Sequence, residues 1–502
     1  MSRPLPGSIK RFSMLICAAF LVCFVAMNTS SAQAFDEMVT FGDSLSDSGN
    51  VYAATDGHIP ASPPYYNGRF SNGPNYVDLL ASATGLSSDP FLKGGPNYAV
   101  GGAMTSGFPD GLPYDFLSQV DIFRGEIVIG ERDKPNENTL LIVFIGSNDM
   151  LQVIADALDN PGQQSAIIQD GVTRIVGNIR DGLNELKDEG AINILVPYLP
   201  NLARTPRYVQ KEATSPGVFN VATTACESFN QALDEMLDSF SDINIIRFQT
   251  YDLIEQAISD AQALGFSNAT SACYTGDDNF TGGGTVCADP NAYVFWDQIH
   301  PSAHSHSLLE QEMLLTVNGW FGDVFSFYWA YDDVEKIKNA GVTQGCGNGF
   351  YCPEDFVTRA QTAVFIERAL NGGSYVPPPA TGIFVDVPTD YWAADWIDKF
   401  YNDGITNGCN SNPLMYCPDQ DLSRAEMAVL LLRAKNGSGY SPPPATGIFV
   451  DVPTDYWAAD WIEALYHEGI TTGCSDNPML YCPEDSVTRA QMAVFLVRTF
   501  GL

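Results

Sequence analysis

At 502 residues the chain is too long for one ordinary hydrophobic core, so two or more domains are expected. Its 60 Asp and Glu against 25 Lys and Arg give a formal charge of -35, which argues against nucleic acid as a partner and against electrostatic adhesion to anionic lipid. Such acidity suits a solvated extracellular protein.

The N-terminus carries Arg3, Lys10 and Arg11, an apolar run from Met14 to Met27, and then SSAQA, the pattern of a secretory signal peptide over 1–34 with cleavage after Ala34. A membrane anchor is the weaker reading, because the apolar run falls short of the roughly 20 residues that span a bilayer. The mature chain is therefore expected to begin near Phe35, to have no transmembrane segment, and to be extracellular or held at the cell surface.

From there to residue 320, apolar β-rich runs alternate with helical patterns. MVTF (38–41), LLIVFI (140–145), INILVPYL (192–199) and the run at 244–247 read as buried parallel strands, and 166–186, 225–240 and 305–320 show helical spacing. This alternation predicts an α/β fold, a three-layer α/β/α sandwich on a parallel sheet. Ligand sites in such sheets lie at the carboxyl ends of the strands.

Four motifs fall at those ends: FGDSLSDSGN (41–50), NYAVGGA (97–103), FIGSNDM (144–150) and WDQIHP (296–301). A serine hydroxyl becomes a good nucleophile when a base takes its proton and a third group orients that base. Asp297 and His300 lie three residues apart, so one turn brings the carboxylate to Nδ1 and leaves Nε2 for Ser44. Oxyanion donors are available from the Ser44 backbone N–H, an N–H of the Gly101-Gly102 turn and the Asn148 side-chain amide. Taken singly, each motif has a plainer reading: Ser44 a helix N-cap, Gly101-Gly102 a tight turn, Asn148-Asp149 a turn closing a strand, and His300 one histidine among five. Their joint occurrence favours acyl-transfer chemistry that needs no cofactor or metal.

With these motifs, residues 36–320 resemble the GDSL-type lipases and esterases of the SGNH hydrolase superfamily, in particular a bacterial branch of secreted phospholipases, lecithinases and haemolysins. The stretches at 67–81, 196–206 and 287–301 carry the same resemblance. It implies a flavodoxin-like sandwich, Ser44 as nucleophile, Asp297 and His300 as the rest of a triad, and Ser44, Gly102 and Asn148 as the oxyanion hole. Gly102 is chosen over Gly101 because the family glycine lies five residues after the motif asparagine, here Asn97. The implied substrate is a lipid or other carboxylic ester. Acetyl-ester removal from polysaccharide and acyl transfer to another alcohol remain open, as does a non-catalytic envelope adhesion protein. Tyr65, Tyr66 and Phe70 are candidates to line an acyl channel, with loop packing the alternative.

Beyond residue 320 the sequence repeats. FGDV at 321 returns as FVDVPTDYW at 384 and 449, giving units at 321–383, 384–448 and 449–502. Each reads as helix, loop, helix, with Trp392, Trp396 and Phe400, or Trp457, Trp461 and Leu465, on one apolar stripe expected to face the core. Thr358 with Gln361, Ser423 with Glu426 and Thr488 with Gln491 form capping boxes at the second helices. Prolines in the connectors stiffen the links. The repeats resemble S-layer homology modules, which implies anchoring to cell-envelope polysaccharide. Arg359, Arg424 and Arg489 are then candidates to grip anionic glycan groups, or else pair with nearby carboxylates.

Nine cysteines follow the signal segment. In an exported chain, disulfides are expected for Cys346 with Cys352, Cys409 with Cys417, Cys474 with Cys482 and Cys273 with Cys287, leaving Cys226 a free buried thiol. A zinc site would need further ligands that the repeats lack.

Overall fold

A computed structural model describes residues 35–107, 114–277 and 279–502; the expected signal peptide lies outside the described residues. Four short strands, β1 (Glu37–Gly42), β2 (Thr139–Phe144), β3 (Asn193–Pro197) and β4 (Asn244–Phe248), form one parallel sheet in the order β1-β2-β3-β4. On the outer side of β1 the segment at Asn97 joins in parallel, with Tyr98 N–H donating to Thr40 O and Val100 N–H to Gly42 O. The chain thus leaves β1 in one direction, returns, and continues through β2 to β4 in the other. The direction of winding reverses between β1 and β2, and a crevice at that point is where ligands bind in sheets of this kind.

Alternation along each strand fills two cores. Val39, Phe41, Leu141, Val143, Ile194 and Val196 pack on one face against helices α3 (Phe116–Ile129), α4 (Ser147–Asp159), α5 (Gln164–Asp188) and α7 (Val218–Leu237). Met38, Leu140, Ile142, Phe144 and Leu195 pack on the other against α2 (Tyr76–Thr84), α8 (Thr250–Ser259) and α9 (Ala303–Val317). A side chain on Gly42 would meet the Phe144 carbonyl at 2.5 Å, so glycine lets the end of β1 close on β2. The two loops that follow these strands are held together as a result. The short α1 (Asn50–Ala54) and α6 (Pro206–Thr214) lie at the margin of the sandwich.

The repeats build a closed ring. Their six helices are α10 (Tyr331–Asn339), α11 (Arg359–Asn371), α12 (Ala394–Asn402), α13 (Arg424–Asn436), α14 (Ala459–His467) and α15 (Arg489–Phe500). Helix α11 packs on α12, α13 on α14, and α15 returns to α10, so each partnership crosses a repeat boundary and the last closes on the first. Backbone bonds circle the same axis: Leu422 N–H donates to Val357 O, Val487 N–H to Leu422 O, and Val357 N–H to Val487 O, each at 2.9 Å. One continuous core runs from Phe321 to Val497. The capping boxes at Thr358 and Ser423 are complete, whereas at Thr488 only the Gln491 N–H is bonded and the Gln491 Oε1 has no partner.

Disulfides join Cys273–Cys287, Cys346–Cys352, Cys409–Cys417 and Cys474–Cys482, and Cys226 is a free buried thiol, pushed up to about 12 by burial. The tryptophan stripe differs from expectation. Phe400 and Leu465 are fully buried, but Trp392 and Trp457 are 60 % exposed, as is the equivalent Trp329 at 62 %, because they precede the helices and point outward beside a tyrosine ring. Sandwich and ring interlock around residue 320. Trp320 and Phe321 pack in the ring while Phe325 packs at a tilt against Phe248 of β4, and Gln249 N–H donates to Gly322 O.

Candidate active site

The four sequence motifs meet at the carboxyl ends of β1 and β2. Ser44 lies in the turn after β1 and is not an N-cap, since α1 begins later, after Gly49. Its Oγ is 2.8 Å from His300 Nε2, and His300 Nδ1 is 2.8 Å from Asp297 Oδ2 and 3.0 Å from Oδ1. The 256 residues between serine and histidine are bridged because the WDQIHP loop follows the short strand Tyr293–Phe295, while Trp296 and Ser302 N–H groups fix its two ends on His300 O and Val294 O.

The Asp297 carboxylate is buried yet fully engaged. It accepts N–H donors from Ile299 at 2.9 Å and His300 at 2.8 Å, and the Tyr65 hydroxyl at 2.7 Å. Burial alone pushes its pKa up, but the His300 ring and these backbone donors outweigh that and hold it below the usual carboxylate range. Tyr65 titrates far above its ordinary range through burial and the adjoining carboxylate, so it remains a neutral donor. A chain of hydrogen bonds therefore runs from Tyr65 through Asp297 and His300 to Ser44.

Tyr65 thus holds Asp297 and does not line an acyl channel; it is enclosed by Tyr274, Phe280 and Trp296. Phe70 does border the site, its ring 5.4 Å from that of His300, with Phe280 at 5.5 Å on another side. Tyr66 points to solvent. The packed rings restrict the imidazole to the orientation its hydrogen bonds select.

The two other motifs supply directed N–H groups. Gly102 has φ 79°, a left-handed conformation open to glycine at no steric cost. Asp47 Oδ2 accepts the Gly101 N–H at 2.9 Å, whereas no hydrogen bond among the described residues engages the Gly102 N–H. Asn148 stands in the first turn of α4 and donates one amide hydrogen to Ala103 O at 2.9 Å, which aims the other at the site. Its neighbour Asp149 accepts from Thr105 N at 2.7 Å and Thr105 Oγ1 at 2.9 Å, tying the glycine turn to the helix.

Asp47 is the residue that the sequence reading passed over. It is fully buried and accepts from Gly49, Asn50, Val51 and Gly101 N–H groups, so one carboxylate fixes the serine loop, the start of α1 and the glycine turn together. Asn97 and Asn50 extend that network through Ser46 O, Asn97 O and Ala99 O. The second aspartate of GDSLSDSGN was the available signal. For Tyr65 the 232 residues separating it from Asp297 left none.

Arg359, Arg424 and Arg489 are not placed to grip a surface glycan. Each is at most 5 % exposed, donates Nε–H to a carbonyl of the next repeat (Tyr416, Tyr481 and Tyr351) and lies over that tyrosine's ring at 5.1, 4.8 and 4.9 Å. The tyrosine hydroxyls return the bond to the Arg359, Arg424 and Arg489 carbonyls, each at 2.7 Å. The arginines are the rivets of the ring. Arg359 also pairs with Glu426 at 2.7 Å, the carboxylate reading that the sequence left open.

Two cavities meet at Ser44, one running inward toward α8 and α9, the other opening beside Gly102 and Phe70. An α/β/α sandwich with this arrangement at its strand ends defines a serine ester hydrolase. Residues 38–313 match the model of the GDSL-like lipase/acylhydrolase family, and the chain belongs to that family. Residues 321–363 and 448–493 match the S-layer homology domain. Among relatives, a phosphatidylcholine-sterol acyltransferase of Aeromonas hydrophila is 30 % identical over 52 % of this chain and 72 % of its own length. A thermolabile hemolysin of Vibrio parahaemolyticus is 28 % identical over 56 % of this chain and 64 % of its own. Among solved structures, a phospholipase A1 of Streptomyces albidoflavus is 15 % identical with a TM-score of 0.29, covering 54 % of this chain and 94 % of that one.

The S-layer homology domains mark the protein as associated with the bacterial cell surface. No helix among the described residues is long and apolar enough to cross a membrane.

Proposed function

We propose that Ser44 is the nucleophile of this carboxylic-ester hydrolase, His300 its general base and acid, and Asp297 the group that orients and stabilises the imidazolium. Ser44 Oγ attacks the ester carbonyl carbon as its proton passes to His300 Nε2. The carbonyl oxygen gathers charge in front of the Ser44 and Gly102 N–H groups and the Asn148 amide. Collapse expels the alcohol, which takes the proton from Nε2 and leaves an acyl group on Ser44. Water, deprotonated by the same nitrogen, then releases the acid. The observation that carries this reading is the unbroken hydrogen-bond chain from Tyr65 to Ser44.

Lipid or phospholipid esters are the substrate class that the named relatives support, with a sterol or another alcohol as a competing acyl acceptor to water. The chain is exported as residues 35–502, carries its chemistry in 35–320, and attaches through units 321–383, 384–448 and 449–502 to envelope polysaccharide. The exposed Trp329, Trp392 and Trp457 offer three aromatic faces on which the apolar faces of such a glycan's sugar rings would pack.

A panel of phospholipid, lysophospholipid, triglyceride and acetylated-glycan substrates, assayed with wild type and Ser44→Ala, tests the chemistry. Turnover of one lipid class that vanishes in the variant supports the reading, and retention of more than a few per cent in Ser44→Ala rejects it.

A further inference from the structure

The two cavities share Ser44, Asn148, Leu151, Ile299 and His300 and differ in everything else that lines them. The inner one has a wall made by one face of α8. Thr250, Leu253, Ile254 and Ala257 recur at the i, i+3, i+4, i+7 spacing that brings side chains to a common helical stripe. Opposite stand Phe144 at the end of β2, Leu202, Phe295 and Leu309, every one of them at most 6 % exposed. The outer cavity instead adds Thr55, Asp115, Arg207, Asn279 and the exposed Gly102.

We propose that the inner cavity is the acyl-chain site, that it takes an aliphatic chain, and that Ala257 and Ile254 on α8 set the length it admits. The alcohol half of the ester then occupies the outer cavity. The inference rests on the esterase reading of Ser44 and goes beyond it by naming which half of the substrate goes where.

The argument is one of solvation around a fixed carbon. With the carbonyl oxygen directed at Gly102 and Asn148 and Ser44 Oγ on the third side, the two remaining substituents of the reacting carbon must leave in two directions, and two cavities are present. The departing alcohol has to receive a proton from His300 and give way to water, so its side must admit water. The outer cavity has more polar lining than the inner one, Arg207, Asn279 and the exposed Gly102 among it, beside apolar Val51, Ile59, Phe70 and Phe280. A polar headgroup placed inward would lose its water to Leu253, Ile254, Leu309 and Phe295 without hydrogen bonds in return, while an alkyl chain there exchanges water for apolar contact. The unpartnered polar atoms of the inner cavity, Asp43 Oδ2 and Ser147 Oγ, belong to the residues beside Ser44 and Asn148, at the end where the ester group itself would lie; Thr250 Oγ1 is the third.

Ala257 is the smallest side chain on the α8 stripe, and it lies one turn beyond Leu253. A larger side chain at that position would take up cavity space from the α8 wall.

The test is a series of esters of one alcohol, from acetyl to palmitoyl, assayed with wild type, Ala257→Phe, Ile254→Ala and Asn279→Trp, each checked for native circular dichroism and melting. In the wild type kcat/KM should rise by roughly fourfold per added methylene until the cavity is full. Ala257→Phe should lower the palmitoyl-to-acetyl ratio tenfold or more, Ile254→Ala should move the optimum to a longer chain, and Asn279→Trp should leave the chain-length profile in place while altering the dependence on the alcohol. If Ala257→Phe does not fold, the shift in Ile254→Ala decides alone. A profile unchanged by Ala257→Phe or Ile254→Ala, or one truncated by Asn279→Trp, overturns the assignment. A wild type inactive at every chain length defeats the esterase reading itself, and the cavity assignment falls with it.

Discussion

The sandwich and the ring bury charged side chains to opposite ends. In the sandwich Tyr65 and the single loop carrying Asp297 and His300, far apart in sequence, converge on the hydroxyl of Ser44, where two cavities meet. In the ring Arg359, Arg424 and Arg489 are sealed between tyrosine faces and backbone carbonyls of the adjoining repeats. A buried ionisable group is reactive when its hydrogen-bond chain ends at a cavity, and architectural when rings and backbone of adjoining repeats enclose it, as they do Arg424 and Arg489 although the Nη2 of each has no partner among the described residues. The same distinction corrects the glycan role expected for the arginines.

Removing a rivet breaks the comparison most severely. Arg424→Ala deletes a charged hydrogen bond to Tyr481 O, a stacked ring and a buried side chain, which should cost on the order of 3 kcal/mol or more. Differential scanning calorimetry should show the ring melting earlier, while turnover of a soluble ester by the sandwich stays near wild type. Equal loss of both would mean that the two regions do not hold their stability separately.

Asn148→Ala acts on the other region. An oxyanion donor works mainly in the transition state, so kcat should fall by about 10²-fold with little change in KM and none in the melting of the ring. A rise in KM alone would make Asn148 a substrate-positioning residue.

Glu367 sharpens the contrast through pH. Burial, followed by repulsion from Asp403, raises its pKa from 4.5 to about 7, with Lys399 and Asn371 opposing. Because the folded pKa exceeds the unfolded one, its contribution is fully present below about pH 4.5 and is lost as pH rises through 7. Glu367→Gln should therefore raise the ring's melting temperature at pH 8, by an amount equivalent to about 1–3 kcal/mol, and do little at pH 5. An equal gain at both pH values would remove the titration from the explanation.

The smallest effect belongs to Tyr65→Phe, with an expected loss of about two- to tenfold in kcat. Without the hydroxyl, Asp297 is more basic and His300 holds its proton more firmly, so the acid limb of the pH–rate profile should move upward. A lowered plateau with an unmoved limb would assign Tyr65 to packing alone.

How much of this was legible in the sequence follows from what each feature depends on. The strands at 38–41, 140–145 and 192–199 and the helix at 166–186 reappear within a few residues, because apolar periodicity is local and strong there. The motif residues Ser44, Asp297 and His300 come together as their types and spacing suggested, and the four cysteine pairs join. What the sequence could not convey was orientation. Trp392 and Trp396 lie four residues apart, yet Trp392 precedes α12 and faces water, so the helical spacing did not apply to it. The arginines occupy an N-terminal turn that is a surface in most helices, and only closure of the ring buries them. Tyr65 and Asp47 act through contacts between loops, a property of the tertiary fold.

The central claim is that an acyl group passes through Ser44. Rapid-quench mass spectrometry of the protein mixed with a slowly hydrolysed ester tests it directly. The account predicts a transient mass increase equal to the acyl group, confined to the peptide containing Ser44, enhanced when deacylation is slowed, and absent in Ser44→Ala. An acyl adduct on a different residue, or steady ester cleavage by Ser44→Ala, would contradict it.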